Sequence, residues 1–424
     1  MTLTLRGGRL LCPTTGTDQV ADLHVADGRV LAHGAPPAGF EARRTIDARG
    51  LLVAPGLVDL AARLREPGFE YRATLESEMR AALAGGVTHL VCPPDTDPPL
   101  DEPGLVEMLK HRARSLDQAH LSPLGALTVG LKGEVITEMA ELAEAGCVGF
   151  SQASEPLVDT QVLWRAMQYA RTFGFTVWLQ PSDAFLARGG VAHGGPVAAR
   201  LGLPGVPVTA ETVALHTLFE LVRATGCRVH LCRLSSAAGV ALLRTARAEG
   251  LPVTADVAVH HLHLTDVDIG FFDTACRVAP PFRSQRDRDA LVAALADGTI
   301  DAVCSDHTPV DDDAKQVPFG EAEPGVTGLE LLLPLTLAWA RRAGVPMLDA
   351  IGRATRDAAR IAGCEGGSLA PGAPADLCVF DPDAPWVVSP RTLLSQGHHT
   401  PFAGRELQGR VRCTLVGGRV AHEA

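Results

Sequence analysis

The sequence predicts an α/β fold, a (β/α)8 TIM barrel with a small β-sandwich domain built from both chain ends. Three observations lead there. Turn-punctuated strand signals occur at both termini, eight short apolar runs alternate with helical patterns between them, and no Gly-rich nucleotide turn follows the first of those runs. A doubly wound open sheet would need such a turn. With 424 residues, 46% of them hydrophobic and 21% charged, the chain has the composition of a globular protein with a large core. The expected organisation is residues 1–55 and 369–424 as the two parts of the sandwich and 56–368 as the barrel.

In chain order, "DLHVADGRVLAHG" sets Asp27-Gly28 between two alternating apolar runs, the signature of a tight hairpin. The barrel strands are expected at 57–63, 87–94, 124–130, 147–151, 175–180, 228–233, 252–258 and 300–306, each rich in Val, Leu or Ile. Helices are expected in "EVITEMAELAEAG", "TQVLWRAMQYARTFG", "TAETVALHTLFELVRATG" and "QRDRDALVAALADG", each ending near a Gly that can take a left-handed cap. After the barrel, "APADLCVFDPDAPWVV" reads as strand, and "CTLVGGRVAHEA" repeats the hairpin device at Gly417-Gly418. The two ends could be unrelated flaps, but each alone carries too few strands to bury a face, which favours one shared domain.

A formal net charge of −11 argues against general attraction to nucleic acid or anionic membrane, and there is no basic stripe. No apolar run approaches the roughly 20 residues needed to span a bilayer, and "MTLTLRGGRLLCPTTG" lacks a cationic segment followed by an apolar core. A cytoplasmic location is expected. The 10 cysteines are scattered without a Cys-x-x-Cys pair, so they read as buried hydrophobes and neither disulfides nor a cysteine zinc site is expected.

Barrel chemistry sits at the C-terminal strand ends. There the blocks "PGLVDLAARLREPGFEYRAT", "AGGVTHLVCPPDTDP", "CRVAPPFRSQRDRDAL", "IDAVCSDHTP" and "GSLAPGAPADLCVFDP" stand in an order and spacing similar to the dihydroorotase branch of the amidohydrolase superfamily. The resemblance covers nearly the whole chain. It implies a barrel with a terminal β sandwich, one or two zinc ions at the strand ends, and hydrolysis or formation of cyclic amides.

The metal positions implied by that resemblance are altered. The two histidines of the family's Asp-x-His-x-His are here Ala61 and Arg63, and the carboxylated lysine or aspartate after strand four falls in "FSQAS", with Gln152 and Ala153. Gln180 and Arg233 stand where histidines end strands five and six; only Asp306 is retained. Ala has no donor atom and a guanidinium stays protonated, whereas catalytic zinc needs about three protein ligands. No metal, no cofactor and no catalytic constellation is therefore expected. Among the family's substrate contacts Arg65 is retained, but Asp95, Ala279 and Val310 replace Asn, Asn and His, and Asp95 would repel a substrate carboxylate. Arg63 and Arg233 are expected either to enter the old metal cavity and pair with Asp306 or to swing to solvent, leaving Asp306 to His307 or water.

Other motifs carry less. His260, His261 and His263 in "VHHLHLT" read as structural, His398 and His399 as loop residues, and Asp311-Asp312-Asp313 as part of a solvated lid loop without the spacing of a calcium site. His230 is assigned no role. The leading expectation is a non-catalytic dihydroorotase-like protein, resembling the inactive homologues of some bacteria that assemble with the catalytic chain of aspartate carbamoyltransferase and self-associate within that hetero-oligomer. Two alternatives remain: a metal-independent cyclic-amide hydrolase using Asp306 and His307, or an anion sensor using Arg63, Arg65 and Arg233.

Overall fold

The computed structural model describes residues 2–424 and contains both expected parts, an eight-stranded parallel barrel and a strand-rich unit made from the two termini. The barrel strands are Leu57–Asp59, Val87–Cys92, His120–Pro123 with Gly125–Ala126, Phe150–Ser151, Thr176–Leu179, Arg228–Leu231, Val253–Ala258 and Ala302–Cys304. The third is broken at Leu124, so His120–Pro123 pairs with the second strand and Gly125–Ala126 with the fourth. Closure between the first and eighth strands uses a parallel bridge from Ala62 to His307 and the buried Asp59 carboxylate, which accepts the Ser305 N–H at 2.8 Å.

Most observed strands are shorter than the apolar runs that predict them, and the third, expected at 124–130, begins at His120 and ends at Ala126, before a 3-10 turn at Val129–Leu131. After Asp59, Leu231 and Cys304 the backbone leaves the ladder and turns across the barrel mouth, which frees Arg63, Arg233 and Asp306 from strand geometry. The expected helix in 134–146 is confined to Met139–Ala145. Residues before it double back on strand three instead, with Val129 N–H bonded to Val135 O at 2.8 Å and Thr137 Oγ1 donating to Ala126 O at 2.6 Å. The helices Thr160–Phe173 and Val208–Thr225 end as expected on left-handed Gly174 and Gly226.

The terminal strands are hydrogen-bonded as a single eight-stranded sheet, in the order Arg419–Glu423, Glu406–Val416, Leu377–Val387, Leu52–Pro55, Thr2–Cys12, Thr17–Ala26 and Arg29–His33, with Arg44–Asp47 on Thr2–Cys12. A register shift between Leu5 and Gly8 lets the first half of Thr2–Cys12 pair with Arg44–Asp47 and the second half with Leu52–Pro55. Over this bend Leu3, Leu5, Leu10, Val25, Val53, Leu377 and Leu415 form a separate core. Asp376 ties it to the barrel, accepting Gly417 N–H at 2.7 Å and meeting His120 Nε2 at 3.1 Å. No helix among the described residues is long and apolar enough to cross a membrane.

Gly86 carries the close approach of the two units: its φ is +79°, and a Cβ there would lie 2.4 Å from Cys378 Sγ and 3.3 Å from Val411 Cγ2. Gly86→Ala combines left-handed strain with overpacking and should lower stability by roughly 2–4 kcal/mol. Urea unfolding followed by far-UV circular dichroism measures this.

Candidate functional site

Among the described residues, four of the eight non-glycine residues with positive φ gather at the barrel mouth: Arg65 (+64°), Ala153 (+53°), Arg233 (+56°) and Asp306 (+50°). Such backbones cost about 1–3 kcal/mol each and persist only where surroundings hold them. At Arg233 the holder is Asp256, whose Oδ1 accepts the Arg233 N–H at 2.6 Å while Oδ2 meets His230 Nε2 at 3.0 Å. At Arg233 and Asp306 the side chains on these turns meet each other in the mouth.

Both guanidinium groups enter it. Arg233 Nη1 donates to Asp306 Oδ1 at 2.7 Å and Nη2 to Gln180 Oε1 at 2.7 Å. Arg63 donates through Nε to Asp95 Oδ2 at 2.7 Å, through Nη1 to Thr308 Oγ1 at 3.1 Å and through Nη2 to Ser154 Oγ at 3.0 Å. Its Nη1 also lies 3.7 Å from Asp306 Oδ1, within ion-pair reach. Arg63, Arg233 and Asp306 are all buried. Burial opposes the Arg233 charge, but Asp306 more than offsets it and holds the guanidinium above its ordinary value. Burial likewise opposes the Asp95 charge, and Arg63 overcomes it to hold the carboxyl below the usual range.

The remaining predicted positions take other parts. Ala61 packs inside the barrel with Leu60 and Val91. Gln152 turns toward strand three, accepting from Thr128 Oγ1 at 2.9 Å and donating to Leu131 O at 2.6 Å, away from both arginines. Ala153 provides the left-handed turn, Ala279 lines the cavity, and Val310 is buried under the lid loop beside Gly325. Arg65 is 7% exposed and makes one hydrogen bond, Nε to Pro309 O at 2.8 Å; burial and then the neighbouring Arg63 bring its pKa down to about 10. His307 does not face Asp306. Its Nε2 lies 2.7 Å from Glu78 Oε2, and its Nδ1 accepts the Gly328 N–H at 3.1 Å.

A profile described as Dihydro-orotase-like matches residues 50–238, and one described as Amidohydrolase family matches residues 205–421. The Dihydroorotase-like protein of Pseudomonas aeruginosa is 44% identical over 423 residues, covering 100% of both chains. This chain belongs to the dihydroorotase-like amidohydrolases. The Dihydroorotase of Geobacter sp. strain M21 is 38% identical over 424 residues, again with 100% coverage of both. Among solved structures, the L-hydantoinase (dihydropyrimidinase) from Arthrobacter aurescens superposes with a TM-score of 0.89 at 27% identity, covering 99% of this chain and 96% of that one.

The zinc ions implied by this family do not fit the residues present. Two permanently charged guanidiniums project where cations would sit, and Asp306 is already bonded to one of them. A second group, His230, Cys232 and Asp256, brings three ligand types within 4.8 Å of one another. Its lone pairs and protons are already used: His230 bonds Thr254 and Asp256, and Asp256 holds the Arg233 N–H, so it serves as a bracket under the site.

Sequence reasoning did not single out Ser154, whose Oγ accepts from Arg63 and, at 3.4 Å, from Arg233. It also passed over Glu78 and Glu330. Glu78 accepts from Ser395 Oγ at 2.6 Å and Gln396 N–H at 2.9 Å, and Glu330 accepts from the N–H groups of Leu394 and Ser395. Together they fasten the C-terminal segment beside the mouth. No local sequence signal marks them, because each partner lies far along the chain.

Asp306→Asn should leave Arg233 buried without an ionised partner and cost about 3–5 kcal/mol, measured as the shift in unfolding free energy at pH 7. Glu330 generates a pH dependence of defined sign. Burial pushes its carboxyl from 4.5 up to about 7, so the folded state binds the extra proton between these values. Stability should therefore fall by up to about 3 kcal/mol as pH rises from 4.5 through 7, then level off, and Glu330→Gln should flatten that slope. Urea midpoints at closely spaced pH values check this.

Proposed function

We propose that this chain is a non-catalytic dihydroorotase-like protein that serves as a structural and assembly subunit for the aspartate carbamoyltransferase catalytic chain in pyrimidine biosynthesis. The observation that carries the reading is the convergence of Arg63 and Arg233 on Asp306, which replaces a metal-ligand set with an internally bonded charge cluster. Without a Lewis acid or metal-bound hydroxide, amide hydrolysis loses its largest source of barrier lowering on this scaffold. A metal-free acid and base pair finds little support, since His307 is engaged by Glu78 and Gly328. The 44% and 45% identical relatives carry the name Dihydroorotase-like protein, in keeping with a member set apart from the enzymes.

A scaffolding role places function on the surface. One surface feature suits it: Phe271, 95% exposed, follows Gly270 and precedes Phe272, which adopts a φ of +59°. Exposed aromatics on a constrained backbone suit contact anchoring because the backbone that carries them is already ordered before binding.

Co-expression with the same organism's aspartate carbamoyltransferase catalytic chain, followed by size exclusion with light scattering, should yield one species containing both chains. Elution at the two separate masses overturns the scaffold reading. The purified chain should show no dihydroorotate turnover, with or without added zinc; turnover abolished by Asp306→Ala overturns the non-catalytic reading.

A further inference from the structure

Resting on the reading that the mouth is not catalytic, the charge balance there points to an occupant. An inner cavity of about 190 Å³ is lined by residues including Gln180, Arg233, Arg277 and Arg283, and an outer one of about 260 Å³ by residues including Arg63, Arg65, Asp95 and Asp306. Ser154, Val278, Ala279 and Pro324 line both, so the two are neighbours across one wall.

The charges do not cancel. Arg63 is matched by Asp95, Arg233 by Asp306, and the outer cavity's Glu323 by Arg72. Arg283 is held by Ser235 Oγ and Val206 O, with Glu211 the nearest influence of opposite sign. Glu155 stands exposed at the outer rim. That leaves Arg65 and Arg277 without an acid partner and Glu155 without a basic one among the described residues, a surplus of one positive charge. Arg277 is only half-buried, yet its side chain makes no hydrogen bond or ion pair among the described residues, and its Nε is buried without a partner.

Other buried donors nearby are also unused. Arg233 Nε lacks a partner although the residue is 4% exposed, and His260 Nε2, in a residue 2% exposed, stops 3.8 Å from Asp306 Oδ2 without bonding it. Buried polar groups are ordinarily satisfied, so the orphaned Nε atoms of Arg233 and Arg277, both lining the inner cavity, mark a place where acceptors belong. The unpaired Arg277 guanidinium and the unused Arg233 Nε at the inner cavity suit a group with several acceptor oxygens, such as phosphate, better than a single carboxylate.

We propose that the paired cavities at the barrel mouth bind a phosphate or phosphoryl group, with Arg277 and Arg233 as its inner donors. Arg277 has no counterpart duty to lose: the lid is tied to this residue through its backbone carbonyl, which accepts from Gly325 N–H at 3.0 Å and Lys315 Nζ at 3.1 Å. Side-chain replacement therefore leaves the lid contacts in place.

The test is calorimetric titration of the full chain with inorganic phosphate, against sodium chloride of equal ionic strength and against malonate. Saturable phosphate binding that weakens at least tenfold in Arg277→Gln, and less in Arg277→Lys, is the expected result. Ala279→Asp, which sets a carboxylate in the shared wall, should abolish it and serves if Arg277→Gln does not fold. Absence of saturable binding, equal affinity in the variants, or binding of malonate alone overturns the inference. Assembly with the carbamoyltransferase chain is scored in phosphate-free buffer. A complex that forms while phosphate fails to bind removes this inference only, whereas dihydroorotate turnover removes the non-catalytic reading irrespective of phosphate.

Discussion

A carboxylate held inside the mouth of a barrel must be met by positive charge, and Asp306 is that carboxylate. Removing an ion from water costs several kcal/mol even after relaxation, and only a well-placed counter-charge with further hydrogen bonds offsets it. Here Arg233 supplies the contact at 2.7 Å and Arg63 the second charge at 3.7 Å. The choice of arginine follows from its shape. One planar fork can bond Asp306 and Gln180 together, and another can bond Asp95, Thr308 and Ser154, which a lysine's compact ammonium could not span. Each altered position thus makes sense in terms of another: Gln180 is an acceptor for Arg233, and Asp95 is the counter-ion for Arg63. The substitutions behave as a set and not as independent losses.

The backbone beneath this set is conservative in the physical sense. Arg233 and Asp306 keep left-handed conformations that neither residue favours, and the brackets that hold the neighbouring backbone, Asp256 to the Arg233 N–H and Asp59 to the Ser305 N–H, are buried inside the barrel. Releasing the strain would require abandoning those brackets, and Asp59 also closes the first strand on the eighth. Geometry suited to presenting ligands can therefore outlast the ligands, because it is part of how the barrel closes.

Much of the fold could be read from the chain. Hairpins at Asp27-Gly28 and Gly417-Gly418, and helix ends at Gly146, Gly174 and Gly226, follow from local turn chemistry. Strand lengths could not, since an apolar run does not reveal where a buried carboxylate captures the backbone and ends the ladder. Residues 134–138 looked helical by composition, but their pairing with 127–129 depends on a turn at left-handed Gly130. At the site, family resemblance identified which positions had changed, and the arginines' reach toward Asp306 was one of two open outcomes. What decided between them was the alternative partner of His307: Glu78, 229 positions away, occupies its ring and leaves Asp306 to the arginines. Unpaired donors such as those of Arg277 and His260 have no sequence signature at all, because being unpaired is a property of the surroundings.

Whole-chain similarity is a poor guide to what such a protein does. One relative named Dihydroorotase is 41% identical and one named Dihydroorotase-like protein 45%, nearly the same distance, with 98% and 99% of their lengths covered. Identity of that order reports the shared fold and does not by itself report the chemistry. In this chain the residues that bear on chemistry are a handful at the strand ends, where Arg63 and Arg233 meet Asp306. Under the proposed reading, arginines that project into the mouth and bond Asp306 disfavour a metal ion there, and with it the group that would make hydrolysis fast.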